Sequence, residues 1–216
     1  MSVARPEGHL VLPPTGIGRA VLVLHAWWGL NASLRGFCAR LAEAGLVVYA
    51  PDLYHGHIAD TIADAETLAG ALDSKRATAE VAVAASFLDQ HANNAERGLA
   101  VIGFSLGAAY ALGLAAAEPE RIHSVVLFYG TGGGDANRSR AAYLGHFAEN
   151  DPYEPQAEVD RLEAALRHAG RTVTFHRYTG TGHWFFEPDR TQAFHAAAAS
   201  LAWDRTLAFL NRSTAP

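Results

Sequence analysis

The run Leu99-Ala-Val-Ile-Gly-Phe-Ser-Leu-Gly-Ala-Ala-Tyr-Ala-Leu constrains this chain more than any other. An apolar, β-forming segment stops at Gly103, turns at Ser105 and continues as an Ala- and Leu-rich helix. Gly-x-Ser-x-Gly at such a junction is a nucleophile elbow, a turn so tight that only hydrogen fits on the flanking α-carbons, Gly103 and Gly107. The turn holds its serine at a strained backbone position and pushes the hydroxyl out at the head of a sheet. The amide of Leu106 opens the following helix, whose dipole favours developing negative charge there. Three adjacent residues thus offer a nucleophile and half of an oxyanion hole.

Around this junction strands and helices alternate. Ala20 to His25 reads as a strand buried on both faces, and Asn31 or Ser33 can cap a helix that Gly45 ends. Leu46 to Asp52 returns as a strand, and an Ala-rich helical region from about Ala63 to Asp89 carries a break near Gly70 or Asp73. After the elbow come strands at His123–Gly130 and Ala142–Ala148, a helix opened by Pro155, a strand at Thr172–Tyr178 and a closing helix from Asp189 to Leu210. The pattern predicts an α/β fold with a mostly parallel, doubly wound sheet flanked by helices. At 216 residues, half of them hydrophobic, one domain spanning 1–216 is expected. The connection between the strand ending at Gly130 and the strand starting at Ala142 is only about a dozen residues, too short for an inserted lid domain, so the site should open to solvent.

Composition narrows the partner. The net charge is −5 and no Lys/Arg cluster exceeds two residues, which argues against nucleic acid or an anionic membrane. The first nine residues lack a basic segment followed by an apolar one, and no run approaches a membrane span. With the single cysteine, Cys38, this fits a reducing, cytoplasmic setting and a small-molecule substrate. Cys38 reads as a packed small hydrophobe. His55 and His57 have no matching Cys or acidic ligand pattern, so neither a metal nor another cofactor is expected.

A serine hydroxyl is a weak nucleophile until a neutral imidazole takes its proton and a carboxylate orients that imidazole. Asp151 follows the strand that ends near Phe147, and His183 follows the last strand. The chain order Ser105, Asp151, His183 is that of the triad in the α/β-hydrolase fold. Glu149 and Asp135 are the competing acids. The second oxyanion donor is expected from the loop after the early strand, at the amide of Trp27. Trp28, Tyr129, Trp184 and Phe185 are the aromatic candidates for a substrate pocket, with core packing as the competing role for some of them.

As a set, His25-Ala-Trp-Trp-Gly-Leu-Asn, Ala50-Pro-Asp-Leu-Tyr, Gly103-Phe-Ser-Leu-Gly, Phe128-Tyr-Gly, Glu149-Asn-Asp and Gly182-His resemble the dienelactone hydrolase family. They spread over nearly the whole chain in family order. The resemblance implies a lid-less α/β hydrolase that cleaves lactones or small esters through an acyl-enzyme, without a cofactor. In well-studied members a cysteine stands at the elbow and a glutamate in the early loop, where this chain has Ser105 and Ala26. The two changes agree chemically, since a carboxylate that helps generate a thiolate serves no such purpose for a serine driven by histidine. The family also holds a substrate carboxylate with arginines, one a few residues after the histidine; here Glu187 stands about there, and Arg76 with Lys75, or Arg138, are the candidate substitutes, with nothing in their spacing that says they reach the site. The expected activity is hydrolysis of small carboxylic esters or lactones. The same groups can pass an acyl group to an alcohol or peroxide, and a catalytically silent binding protein of this fold is the rival from another class.

Overall fold

A computed structural model describes residues 6–92 and 98–212; the first five residues of the segment read for targeting lie outside the described residues. The elements run β1 (Gly8–Val11), β2 (Ala20–Leu24), α1 (Ala32–Glu43), β3 (Val47–Pro51), α2 (Ile62–Ala71), α3 (Ser74–His91), β4 (Leu99–Phe104) and α4 (Leu106–Ala117). They continue with β5 (Ile122–Phe128), β6 (Ala142–Asn150), α5 (Gln156–His168), β7 (Val173–Gly182) and α6 (Ala196–Arg212). The strands form one seven-stranded sheet in the order β1-β3-β2-β4-β5-β6-β7, parallel except for β1. No helix among the described residues is long and apolar enough to cross a membrane.

Because side chains alternate across a strand, the apolar runs feed two cores. Val21, Val23, Ala100 and Ile102 point to one face and pack with Phe37 and Leu41 of α1 and Ala202 and Leu210 of α6. Leu22, Leu24, Val101 and Leu127 point to the other and pack with α3, α4 and α5 through Ala84, Leu88, Ala111, Leu112 and Leu166. The crossover from β2 leads to β3 and the crossover from β4 leads to β5, so the strand order reverses between β2 and β4. The connections leaving the carboxyl ends of those strands diverge, and this opens the crevice where open α/β sheets bind ligands.

Local chemistry sets the helix ends. Asn31 caps α1 by accepting from the Leu34 amide, and Asp73 accepts from the Lys75 and Arg76 amides, which makes the break between α2 and α3 a new helix start. Two boundaries move furthest from expectation. The last strand runs to Gly182 rather than Tyr178, because β6 and β7 stay paired as far as Asn150 with Gly182. The closing helix starts at Ala196 rather than Asp189, because residues 184–195 fold into successive turns that return the His195 amide to the Phe185 carbonyl. The His195 ring then accepts from the Ala198 amide and supplies the helix start.

Candidate active site

Ser105 stands between β4 and α4 with φ 46° and ψ −109°, a left-handed conformation that a side chain rarely adopts. Its amide donates to the Phe128 carbonyl at 2.9 Å, tying the turn to β5. A Cβ at Gly103 would stand 2.5 Å from the Gly107 carbonyl oxygen, and one at Gly107 would run into the carbonyl of Leu24 at the end of β2. The two glycines therefore let helix, elbow and neighbouring strand meet at backbone distance. Four non-glycine residues among those described have positive φ, and three of them, Ser105, Tyr129 and Trp184, gather here.

Ser105 Oγ lies 3.0 Å from Nε2 of His183, and Nδ1 of His183 lies 2.7 and 2.9 Å from the two carboxylate oxygens of Asp151. The pairing of Asn150 with Gly182 explains the second contact, since Asp151 and His183 are the next residues on adjacent strands. The His183 and Asp151 side chains are only 3% and 2% exposed, so their interaction is shielded from water. Asp151 Oδ1 also accepts from the Tyr153 and Glu154 amides, which fixes the carboxylate. A carboxylate can only accept, so this contact calls for the tautomer with hydrogen on Nδ1, in which Nε2 can accept from the serine. The competing acids are engaged elsewhere: Glu149 accepts from the Gly180 amide, and Asp135 accepts from the Asn137 amide in its own turn.

The early loop is held from beneath by His25. Its Nε2 accepts from the Leu53 amide, so Nδ1 carries the hydrogen and donates to the Ala26 carbonyl at 2.6 Å. Burial lowers the pKa of this ring, in keeping with a neutral structural role. Further bonds from Gly29 to Ala26 and from Ala59 to Trp28 shape the loop that carries Trp27. Among the described residues, neither the Leu106 nor the Trp27 amide donates to a protein acceptor.

The four aromatic residues expected to face substrate divide. Trp28, Tyr129 and Phe185 are 2%, 0% and 0% exposed, so they back the site as packed rings rather than line an open pocket. Trp184 keeps some surface, stacks with Trp27 at 5.9 Å between centroids, and meets Trp28 edge-on. The third ring of the open surface is Tyr153, which is 45% exposed and sits 5.0 Å from the His183 ring and 5.1 Å from Trp184. Sequence reasoning passed over it, although its place two residues after Asp151 was a usable signal.

The charges differ from the expectation as well. Glu187 is buried, accepts from the Tyr129 hydroxyl, and is pushed up to about 8 by loss of hydration. It is a largely protonated acid at neutral pH, not an anion facing the substrate. Arg190 lies over the Trp28 ring at 4.2 Å, but its guanidinium is engaged by Asp189 and the Asp60 carbonyl. Arg76 pairs with Glu80 on α3, and Arg138 sits in the turn that Asp135 organises. His55 pairs with Glu7, and among the described residues no group of three or more His, Cys, Asp or Glu side chains could hold a metal. Cys38 is buried in the α1 core, where burial pushes its thiol up to about 12.

Comparison with known proteins agrees with this architecture. The chain is 29% identical over 212 residues to Protein usf of Aquifex pyrophilus, covering 94% of this chain and 91% of the relative. It is 28% identical over 216 residues to a carboxymethylenebutenolidase of Rhodococcus opacus, covering 92% and 82%. The fold superposes on a dienelactone hydrolase-like promiscuous phosphotriesterase from metagenomic libraries with a TM-score of 0.80 at 21% identity, covering 93% and 88%. The family model for the dienelactone hydrolase family matches residues 7–214. With that match spanning nearly the whole sequence, the chain belongs to the dienelactone hydrolase family.

Proposed function

We propose that the protein is a serine hydrolase of small carboxylic esters or lactones, working through an acyl-enzyme on residues of one domain, 1–216. The observation that carries this reading is the chain of contacts from Ser105 Oγ through His183 to Asp151, at 3.0 and 2.7 Å. As Ser105 Oγ bonds to the carbonyl carbon, its proton passes to Nε2 of His183, and the carbonyl oxygen gains negative charge. The Leu106 and Trp27 amides, free of protein acceptors, stabilise that oxygen. Collapse of the intermediate breaks the bond to the leaving oxygen, which takes the proton from His183. Water then attacks the acyl-enzyme with His183 as base and returns Ser105. Asp151 keeps the imidazole in the productive tautomer and stabilises it when charged. Trp184, Trp27 and Tyr153 form the apolar rim against which substrate packs, with Trp28, Tyr129 and Phe185 behind them.

The serine and histidine in contact at 3.0 Å favour catalysis over silent binding. The direct test is a fluorophosphonate, which reacts only with an activated serine. Labelling should map to Ser105, vanish in Ser105→Ala and fall sharply in His183→Ala. Turnover of an aryl ester should drop on the order of a million-fold in folded Ser105→Ala, as the triad works as a unit. Unlabelled wild-type protein, or an active Ser105→Ala variant, would overturn the mechanism.

A further inference from the structure

A groove of about 400 Å³ starts beside the elbow and runs between α3 and α4, within the range of about 300–1,000 Å³ typical of ligand sites. Its floor is one continuous face of α4: Leu106, Ala109, Tyr110, Gly113, Leu114 and Ala117 recur at helical spacing. From Leu106 to Ala117 that face is about 16 Å long at 1.5 Å per residue. Thr78, Val81 and Ala82 of α3 form the opposite wall, and Gly133 and Gly134 border it on the loop side. Leu106 connects the groove to chemistry, because its amide is a proposed oxyanion donor and the same residue lines the groove.

Gly113 points to what the groove is for. Glycine inside a helix costs about 1 kcal/mol relative to alanine, so a backbone reason is normally sought. None exists here, since a Cβ at Gly113 would meet no atom within 4 Å. What the missing side chain leaves is width in the middle of the groove. Charge narrows the occupant further, as the lining holds one carboxylate, Glu118, and no lysine or arginine. Glu118 is moreover paired with Arg121.

Building on the proposed serine mechanism, we infer that this α3–α4 groove binds the acyl chain of the substrate, and that the chain is linear, aliphatic and uncharged. The stereochemistry of the tetrahedral intermediate assigns the side. The oxyanion faces the Leu106 and Trp27 amides, and the leaving oxygen must face His183 to be protonated. The remaining substituent, the acyl chain, is directed away from the His183 loop. None of the groove's lining residues belongs to that loop.

The test is kcat/KM for p-nitrophenyl esters from acetate to decanoate, with fluorophosphonate labelling of Ser105 run in parallel. Each methylene that enters the groove should raise kcat/KM about fourfold, so hexanoate should exceed acetate by at least about tenfold. Gly113→Leu fills the floor, and Thr78→Trp, at an exposed wall position, fills the groove without touching the core. Each should lower the hexanoate-to-acetate ratio at least about tenfold. Retained labelling with a flat chain-length profile, or with a ratio that neither variant moves, overturns the groove alone. Loss of both labelling and hydrolysis of every ester in the wild type overturns the serine mechanism and the groove with it.

Discussion

The Tyr129 hydroxyl donates a 2.7 Å hydrogen bond to Glu187, and through this bond a buried acid is fastened to a ring that lies 4.8 Å from the ring of His183. Tyr129 itself is held at φ 38°, so the contact is part of a strained, fixed wall. Burial keeps the Glu187 proton up to about pH 8, whereas the unfolded chain releases it near 4.5. Across that window the native state holds a proton that the unfolded state has lost. Stability therefore falls as pH rises through it, by on the order of a few kcal/mol in total. Glu187→Gln keeps an acceptor for Tyr129 and removes the titration. The variant should be more stable than the wild type at pH 8.5 and close to it at pH 5, measured as the difference in Tm; a constant difference at both pH values would contradict the assignment.

Asp151 and Glu149 stand two residues apart and should respond very differently to loss of charge. Asp151→Asn leaves the His183 contact geometrically intact but favours the wrong tautomer, and should lower kcat about 10⁴-fold. Glu149→Gln can still accept from the Gly180 amide, 2.9 Å away in the wild type, so its kcat should remain within about threefold. Steady-state hydrolysis of an activated aryl ester by both variants decides this, and comparable losses would shift the acid role away from Asp151.

Two glycines of α4 should give opposite stability effects. A methyl group at Gly107 drives into the end of β2, and with no flexible side chain there to yield, Gly107→Ala should lose more than about 3 kcal/mol. Gly113→Ala meets nothing and removes backbone freedom from the unfolded chain, a gain of up to about 1 kcal/mol. Urea denaturation at neutral pH measures both, and a tolerated Gly107→Ala would show that the elbow can relax.

Substrate charge should matter as much as substrate shape. Arg190 is the cation beside the aromatic wall, and Asp189 already engages it at 2.9 Å. A carboxylate desolvated against Trp27, Trp184 and Tyr153 would lose hydration without gaining a strong partner. A neutral aryl ester or unsubstituted lactone should therefore exceed its carboxylate-bearing analogue in kcat/KM by at least about tenfold, or about 1.4 kcal/mol in the transition state. Preference for the anionic analogue that weakens as salt rises would reveal a cationic subsite.

The sheet, the elbow and the chain order of Ser105, Asp151 and His183 could be read from residues alone, since each depends on local signals: apolar runs bounded by turn residues, and glycines at a spacing that only one junction requires. The same locality made a cap at Asn31 or Ser33 and a break near Gly70 or Asp73 legible, and the folded chain uses Asn31 and Asp73. Which acid meets His183 was decided by tertiary structure, through the pairing of Asn150 with Gly182 that delivers Asp151 and leaves Glu149 to Gly180. Tertiary structure likewise separated the rings, burying Trp28, Tyr129 and Phe185 while Trp184 and Tyr153 kept surface, and it buried Glu187, which stands in sequence about where the family places a cation. Burial and long-range pairing depend on what the rest of the chain places around a residue, and a local pattern carries no information about neighbours that arrive from dozens of residues away.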